Sequence, residues 1–370
     1  MHIPDGYLSP STCGTLYLAA APFWYTALRK VQRLLSTRLV PLIAVFAAFS
    51  FVIMMFNLPL PGGTTGHAVG MGIATIVLGP WGSMLAISVA LLIQALFFGD
   101  GGVTAFGANC FNMAIVGSLV AYGVYRLMAG RTALTSTRRV VAAALAGYLA
   151  INAAALLAAI EFGLQPLLFT DASGAPLYAP YPLHIAIPAM MIGHLTLAGL
   201  AELVVSGGLV AYLQRSDPAL LKLTAPGVAN ATGNLSAVAL KGKWGGMRPL
   251  WIGLAGLMIA TPLGLLAAGT AWGEWGARDF ANPALHAQIV KASGANAPSV
   301  APAGLEQLAS VWTAPLPAYA PPFMHSEIFG YMMSALLGVG LIILAVLLIG
   351  WLLRRNQRDD DLSLPDPGAM

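Results

Sequence analysis

The chain has 370 residues, 58% of them hydrophobic and only 9% charged, with a mean hydropathy of +0.77. A soluble globular domain carries about 25% charged residues, so the composition excludes that class and points to a polytopic membrane protein. The net charge of +4 is small and is accounted for by the uneven placement of basic residues along the chain, which leaves no case for nucleic-acid binding.

The chain opens Met1-His2-Ile3-Pro4-Asp5-Gly6. A histidine second from a free N-terminus puts three nitrogens within chelating reach: the Met1 α-amine, the His2 backbone amide nitrogen and His2 Nδ1. A metal bound there closes two fused, nearly planar chelate rings. One more nitrogen completes a square, which suits Ni(II) or Cu(II). No basic region with an apolar core precedes the first span, so no cleavable signal peptide is expected. Met1 is expected to be retained because bulky His2 follows it.

Spanning a bilayer takes about 20 apolar residues. Runs that meet or approach this are expected near residues 12–28, 39–57, 68–79, 83–98, 105–125, 140–162, 184–213, 250–271 and 328–353. The run 68–79 is too short to cross when straight. It ends at Leu78-Gly79-Pro80-Trp81-Gly82, which predicts a short, tilted or re-entrant element paired with the next. Basic residues follow the first span (Arg29, Lys30, Arg33, Arg38), the fifth (Arg126, Arg131, Arg138, Arg139), the seventh (Arg215, Lys222, Lys241, Lys243, Arg248) and the ninth (Arg354, Arg355, Arg358). Only Arg278 and Lys291 of the 18 fall on the opposite side in this nine-span arrangement. The positive-inside rule then puts the N-terminus outside and the C-terminus in the cytoplasm.

His67 lies in Gly62-Gly63-Thr64-Thr65-Gly66-His67-Ala68-Val69-Gly70, a shaped loop on the same side as the N-terminus. It is the candidate fourth nitrogen; an ordinary hydrogen-bonded structural histidine is the alternative. Pro4 and Gly6 turn the chain just after the chelate, and Asp5 is available to hydrogen-bond behind it. Asn109 and Asn112 can reach the same loops from the outer part of the fifth span, or bond between helices instead. Asp100, among glycines, reads as a turn residue. In the seventh span His194 and Glu202, eight residues apart, share roughly one helix face. A carboxylate at mid-membrane costs about 3 kcal/mol on insertion scales, so the pair is a functional candidate, with a buried bridge to other helices as the plainer reading. Cys13 and Cys110 read as apolar packing residues, and His286 and His325 as solvated polar ones.

The chain divides into residues 1–213, a polar cytoplasmic linker 214–248, and a two-span block 249–370 with an extracytoplasmic stretch at about 272–327. That stretch is rich in Ala and Pro, looks largely extended or irregular, and is expected to be ordered only against the first block. There is no Gly-x-x-x-x-Gly-Lys-Ser/Thr loop and no His-Glu-x-x-His helix, so neither nucleotide binding by that route nor a zinc protease of that type is expected, and no catalytic residue is assigned.

Residues 1–213 resemble the NikM/CbiM family, the substrate-binding S components of energy-coupling factor (ECF) transporters for nickel and cobalt. The likeness rests on Met1-His2-Ile3-Pro4-Asp5-Gly6-Tyr7-Leu8-Ser9-Pro10, on His67 in its glycine-flanked loop, and on the Gly79-Pro80 step. Gln94-Ala95-Leu96, Gly99-Asp100-Gly101-Gly102 and Gly107-Ala108-Asn109 add to it. Tyr7 departs from the Phe of many relatives. The remainder is similar to the small two-span NikN-type accessory subunit, fused as in NikMN chains, on its architecture and on Trp272-Gly273-Glu274-Trp275-Gly276.

The resemblance implies an all-α, polytopic membrane protein, a seven-helix bundle plus two further transmembrane helices. It implies metal ligation by the Met1 amine, the His2 amide and imidazole, and His67, with Ni(II) as transported substrate and Co(II) as the alternative. It further implies a transmembrane coupling (T) subunit and cytoplasmic ATPase (A) subunits as partners, in a prokaryotic cytoplasmic membrane. The secondary reading from the residues themselves is an intramembrane enzyme using His194 and Glu202. A purely structural or assembly subunit would have no metal affinity at all.

Overall fold

The computed structural model describes residues 1–33, 39–60, 64–225, 228, 248–267, 269–293, 298–320 and 323–362. Most of the expected linker 214–248, with Lys241 and Lys243, lies outside the described residues, as do Arg38, Pro61, Gly62, Gly63, Pro321 and Pro322.

Eight helices build the bundle: α1 (Pro10–Arg33), α2 (Leu39–Met54), α3 (Met71–Phe98), α4 (Phe106–Ala129), α5 (Thr137–Leu168), α6 (Leu183–Ser216), α7 (Arg248–Leu266) and α8 (Glu327–Arg355). The six from α3 to α8 are long and apolar enough to cross a membrane; α2 has only 16 residues, and α1 has the length but a more polar sequence. A two-stranded antiparallel hairpin, β1 (Leu58–Leu60) and β2 (Thr64–Gly66), with Pro59 opposite Thr65, lies between α2 and α3.

The expected spans 68–79 and 83–98 form one helical element folded back on itself. Gly79 takes φ +70°, ψ 168°, followed by Pro80. Pro80 cannot donate to the helical ladder, and glycine takes this positive φ with extended ψ at no steric cost, so the pair breaks the helix and reverses it. Thr75 Oγ1 reaches Ser83 Oγ at 3.1 Å. In a straight helix eight residues rise about 12 Å, so this contact requires a fold-back. By path, the eight helices therefore make nine legs, and both ends of α3 come to the same end of the bundle.

Small residues let α5 and α6 close in: a Cβ added at Gly147 would stand 2.5 Å from Ser206 Oγ, and one at Gly207 3.0 Å from Ala144 Cβ. The hairpin α3 is buried nearly throughout, whereas α7 and α8 show most of their surface outward. Helix α8 packs on α2, where the Tyr331 hydroxyl donates to the Met55 carbonyl at 3.0 Å.

The outer stretch is less irregular than expected. It contains three short helices, Ala277–Ala281, Pro283–Ala292 and Ala303–Leu308. Asn282 caps the second by accepting from the Ala284 N–H at 3.0 Å, with Pro283 at its first turn, a local N-terminal signal that composition alone hides. The stretch is bound to the first block: Gly304 N donates to Leu177 O at 2.8 Å, Leu316 N to Phe97 O at 3.0 Å, and Trp312 Nε1 to Leu96 O at 2.9 Å.

Candidate metal centre

The N-terminal segment is inserted into the bundle. Ile3, Tyr7 and Leu8 are fully buried, and each such side chain contributes roughly 1.5–3 kcal/mol relative to exposure in water. Polar contacts then fix its register. Asn109 accepts from Ile3 N at 2.8 Å and donates back to Ile3 O at 3.0 Å, and Gly102 N also donates to Ile3 O, at 2.8 Å. Asp5 accepts from the N–H groups of Val103 (3.1 Å) and Thr104 (2.7 Å) and from the Thr104 hydroxyl. Gly6 turns the chain at φ +86°, where a Cβ would stand 2.7 Å from Leu305 Cα of the outer stretch. Tyr7 donates its hydroxyl to Trp275 O at 2.7 Å. Met1 and His2 are thus positioned by the bonds that fix residues 3–7 behind them.

His67 meets His2 there. Their rings lie 5.0 Å apart, centroid to centroid, tilted by 33°, and both residues are buried. His67 Nδ1 lies 3.1 Å from Ala68 O, a contact that needs the proton on Nδ1 and leaves Nε2 with a free lone pair; Nε2 has no hydrogen-bond partner. Burial, then the neighbouring His2 ring and the N-terminal ammonium, hold the His67 imidazole well below its usual 6.5, so it is neutral at physiological pH.

The loop that carries His67 is itself clamped. Glu202 accepts from the N–H groups of Val69 (2.8 Å), Gly70 (2.8 Å) and Gly72 (3.1 Å) at the start of α3, and from Ser206 Oγ (3.2 Å), while Ser50 donates to Val69 O at 2.7 Å. A carboxylate at a helix N-terminus meets both orphan N–H groups and the positive dipole end. This bonding is why an acid is kept in the interior of the fold.

Two further carboxylates face the N-terminus. The Met1 ammonium donates to Glu274 Oε1 at 2.7 Å. His2 Nδ1 lies 2.9 Å from Asp100 Oδ1, but off the direction a hydrogen bond needs, so both His2 ring nitrogens remain without one. Asp100 is braced from behind: Tyr319 donates to its Oδ2 at 2.5 Å and Gln94 Nε2 at 3.2 Å. Burial raises this carboxyl, but the adjoining His2 and His67 rings and the Tyr319 hydroxyl outweigh it and hold it below the ordinary carboxylate range.

Of the residues singled out in sequence, Met1, His2 and His67 come together, with Asp5 and Asn109 behind them. Asn112 does not reach the group; its Nδ2 donates to Glu161 Oε2 at 2.8 Å. Nor do His194 and Glu202 form a pair. Glu202 is committed to the His67 loop, and His194 Nδ1 lies 2.8 Å from Met190 O with its Nε2 unpartnered in a small cavity lined also by Met1, Thr64, Thr65 and Trp272. That separation leaves the two without a shared reaction centre. The Cys13 and Cys110 thiols are both free and buried. His286 Nε2 lies 2.9 Å from Pro298 O within the outer stretch.

Sequence reading missed Asp100, Glu274, Tyr319 and Gln94. Glu274 had a local signal, a single carboxylate between two Trp-Gly pairs, a setting that tends to bury it.

Residues 2–220 match the family described as the cobalt uptake substrate-specific transmembrane region, CbiM. The chain belongs to the CbiM family. Residues 248–355 match a second family, the PDGLE domain, so the CbiM region here is fused to a PDGLE block. The fused nickel transport protein NikMN of Rhodobacter capsulatus is 57% identical over 94% of this chain and 96% of its own length. The probable fused nickel transport protein LarMN of Lactiplantibacillus plantarum is 46% identical, over 76% of this chain and 79% of its own. A crystal structure of a transition metal transporter superimposes with a TM-score of 0.56 at 51% identity, covering 60% of this chain and 98% of that one. Within the CbiM region lie Met1's neighbour His2, His67, Asp100 and Glu202; Glu274 and Tyr319 come from the PDGLE block.

Proposed function

We propose that this chain captures Ni(II) from outside a prokaryotic cytoplasmic membrane and passes it inward as the substrate-binding subunit of an ECF importer. Co(II) is the alternative substrate of the same mechanism. The observation that carries the reading is the meeting of the Met1 amine, His2 and His67 in a buried site where both His2 ring nitrogens and His67 Nε2 are without hydrogen bonds. The Met1 amine, the His2 amide nitrogen and Nδ1, and His67 Nε2 make a four-nitrogen set. A planar set of that kind suits Ni(II), whereas Co(II) accepts more geometries. Fused relatives named for nickel transport match 76–94% of the chain, and relatives named for cobalt transport match up to 60% of it.

In this reading the N-terminus faces outside and the C-terminus the cytoplasm, as the basic residues suggest. Energy comes from separate cytoplasmic ATPase subunits acting through a transmembrane coupling subunit, since this chain carries no phosphate loop.

Calorimetric Ni(II) titration tests the site on three proteins: wild type, a form with one extra residue before Met1, and His67→Ala. The extension moves His2 out of its chelate position and the substitution removes the fourth nitrogen, so each is expected to weaken binding by about 100-fold or more, roughly 2.7 kcal/mol. Unchanged affinity in the extended protein would overturn the N-terminal site. A parallel Co(II) titration ranks the two metals.

A further inference from the structure

The capture site leaves two carboxylates unexplained. One oxygen each of Asp100 and Glu274 and a ring nitrogen of His2 lie within 4.8 Å of one another. Donors bound to one first-row dication at about 2.0–2.2 Å stand roughly 3–4.4 Å apart, so small side-chain movements bring all three onto a single ion. The His2 side chain is 1% exposed and both its ring nitrogens are free of hydrogen bonds, with Nδ1 only 2.9 Å from Asp100 Oδ1. The Asp100 and Glu274 side chains are 17% and 20% exposed, so the group lies near the edge of the buried site and not in its depth.

We propose that Asp100, Glu274 and His2 form a loading position for a hydrated divalent transition metal, from which the ion moves to the four-nitrogen set. The proposal rests on the capture-site reading above. Two partly exposed negative charges draw cations in and raise their association rate. Oxygen donors hold a late first-row metal less firmly than nitrogens do, so the ion moves on. His2 is common to both sets, so the metal never leaves the protein during the exchange. As it moves, the Met1 ammonium leaves Glu274 and loses a proton to water, the His2 amide loses its own proton to water, and the two nitrogens take the metal. The PDGLE block thus supplies a metal ligand to the CbiM region.

Stopped-flow mixing of the full chain with Ni(II) alone tests this. Glu274→Gln keeps the size of the side chain and an oxygen for the Met1 ammonium. It is expected to slow association at least tenfold and to change dissociation less than twofold. Glu274→Asp, which keeps the charge, is expected to stay within threefold of wild type. Glu306→Gln, an exposed acid of the same outer stretch, is expected to stay within twofold. In a His67→Ala background, Co(II) should still bind weakly with a six-coordinate absorption spectrum, and adding Glu274→Gln should abolish that binding. Wild-type association in Glu274→Gln, equal slowing by Glu306→Gln or Glu274→Asp, or Co(II) binding indifferent to residue 274 each overturns the loading position. Wild-type Ni(II) affinity in His67→Ala overturns the four-nitrogen reading instead, whatever residue 274 does.

Discussion

Tyr319 donates its hydroxyl to Asp100 Oδ2 at 2.5 Å, and the other oxygen of the same carboxylate lies 2.9 Å from His2 Nδ1. A tyrosine of the PDGLE block thereby orients the acid that faces the second residue of the chain. Tyr319 is itself held in a left-handed backbone conformation, φ +59°, after Ala318 at +53°, and its ring stacks on Phe98 at 4.8 Å. Two successive non-glycine residues with positive φ cost energy, which the packing of the stretch must offset.

Tyr319→Phe removes one charge-assisted hydrogen bond to a half-buried carboxylate, worth about 1.5–3 kcal/mol. Expected outcomes are a lower unfolding temperature for the metal-free protein and Ni(II) affinity reduced about three- to tenfold, as orienting bonds behind a site are lost. Thermal unfolding and calorimetry together check this, and an unchanged unfolding temperature would remove Tyr319 from the account.

Asn109 and Asn112, three residues apart, make opposite predictions. Asn109→Ala leaves the buried Ile3 N–H unpaired, at a cost of about 1–3 kcal/mol, and frees the N-terminal segment. Ni(II) affinity is expected to fall ten- to 100-fold, the range for lost bonds behind a metal ligand. Asn112→Ala, which loses only its bond to Glu161, is expected to leave affinity within about twofold. Equal losses in the two variants would show that Asn109 does not act through Ile3.

Glu202→Ala strands three buried N–H groups at the start of α3. The expected destabilisation is about 3–5 kcal/mol. The loop carrying His67 should loosen as well, seen as faster amide hydrogen exchange at Val69 and Gly70. An enzyme-like role for Glu202 would instead leave exchange and stability near wild type.

The His67 imidazole also sets a pH dependence. Its folded value lies well below the unfolded 6.5, because burial and the neighbouring positive groups oppose its protonation. The stability it confers is therefore fully present above pH 6.5 and is lost as pH falls, since the unfolded chain takes up a proton that the folded one refuses. Below that point metal-free stability should decline by up to about 1.4 kcal/mol per pH unit from this group. His67→Gln should flatten that part of the curve in thermal unfolding measured from pH 5 to 8. Ni(II) affinity should fall over the same range in wild type, because the Met1 amine and His2 must give up protons to the metal.

The membrane class, the nine legs and the paired run ending at Gly79-Pro80 were legible because apolar length and backbone-breaking residues are local signals. Met1, His2 and His67 were legible because chelation is written in adjacent residues and a shaped loop. Asp100 was read as a turn because its meaning depends on Tyr319, which lies 219 residues away. Asn112 was grouped with Asn109 because spacing alone cannot say which of two polar residues on a helix faces which neighbour. The short helices of the outer stretch were masked by its Ala and Pro content; they are stabilised by caps and by packing on the first block, and only a three-dimensional arrangement supplies the second.

The bond from Met1 to Glu274 joins residues 273 positions apart. A ribosome adds Glu274 to the growing chain 273 residues after Met1. The amino terminus must therefore remain undocked, or incompletely held, while the bundle is inserted. A contact between residues so far apart in sequence forms late in assembly. Met1 has its carboxylate partner only once the outer stretch has been made.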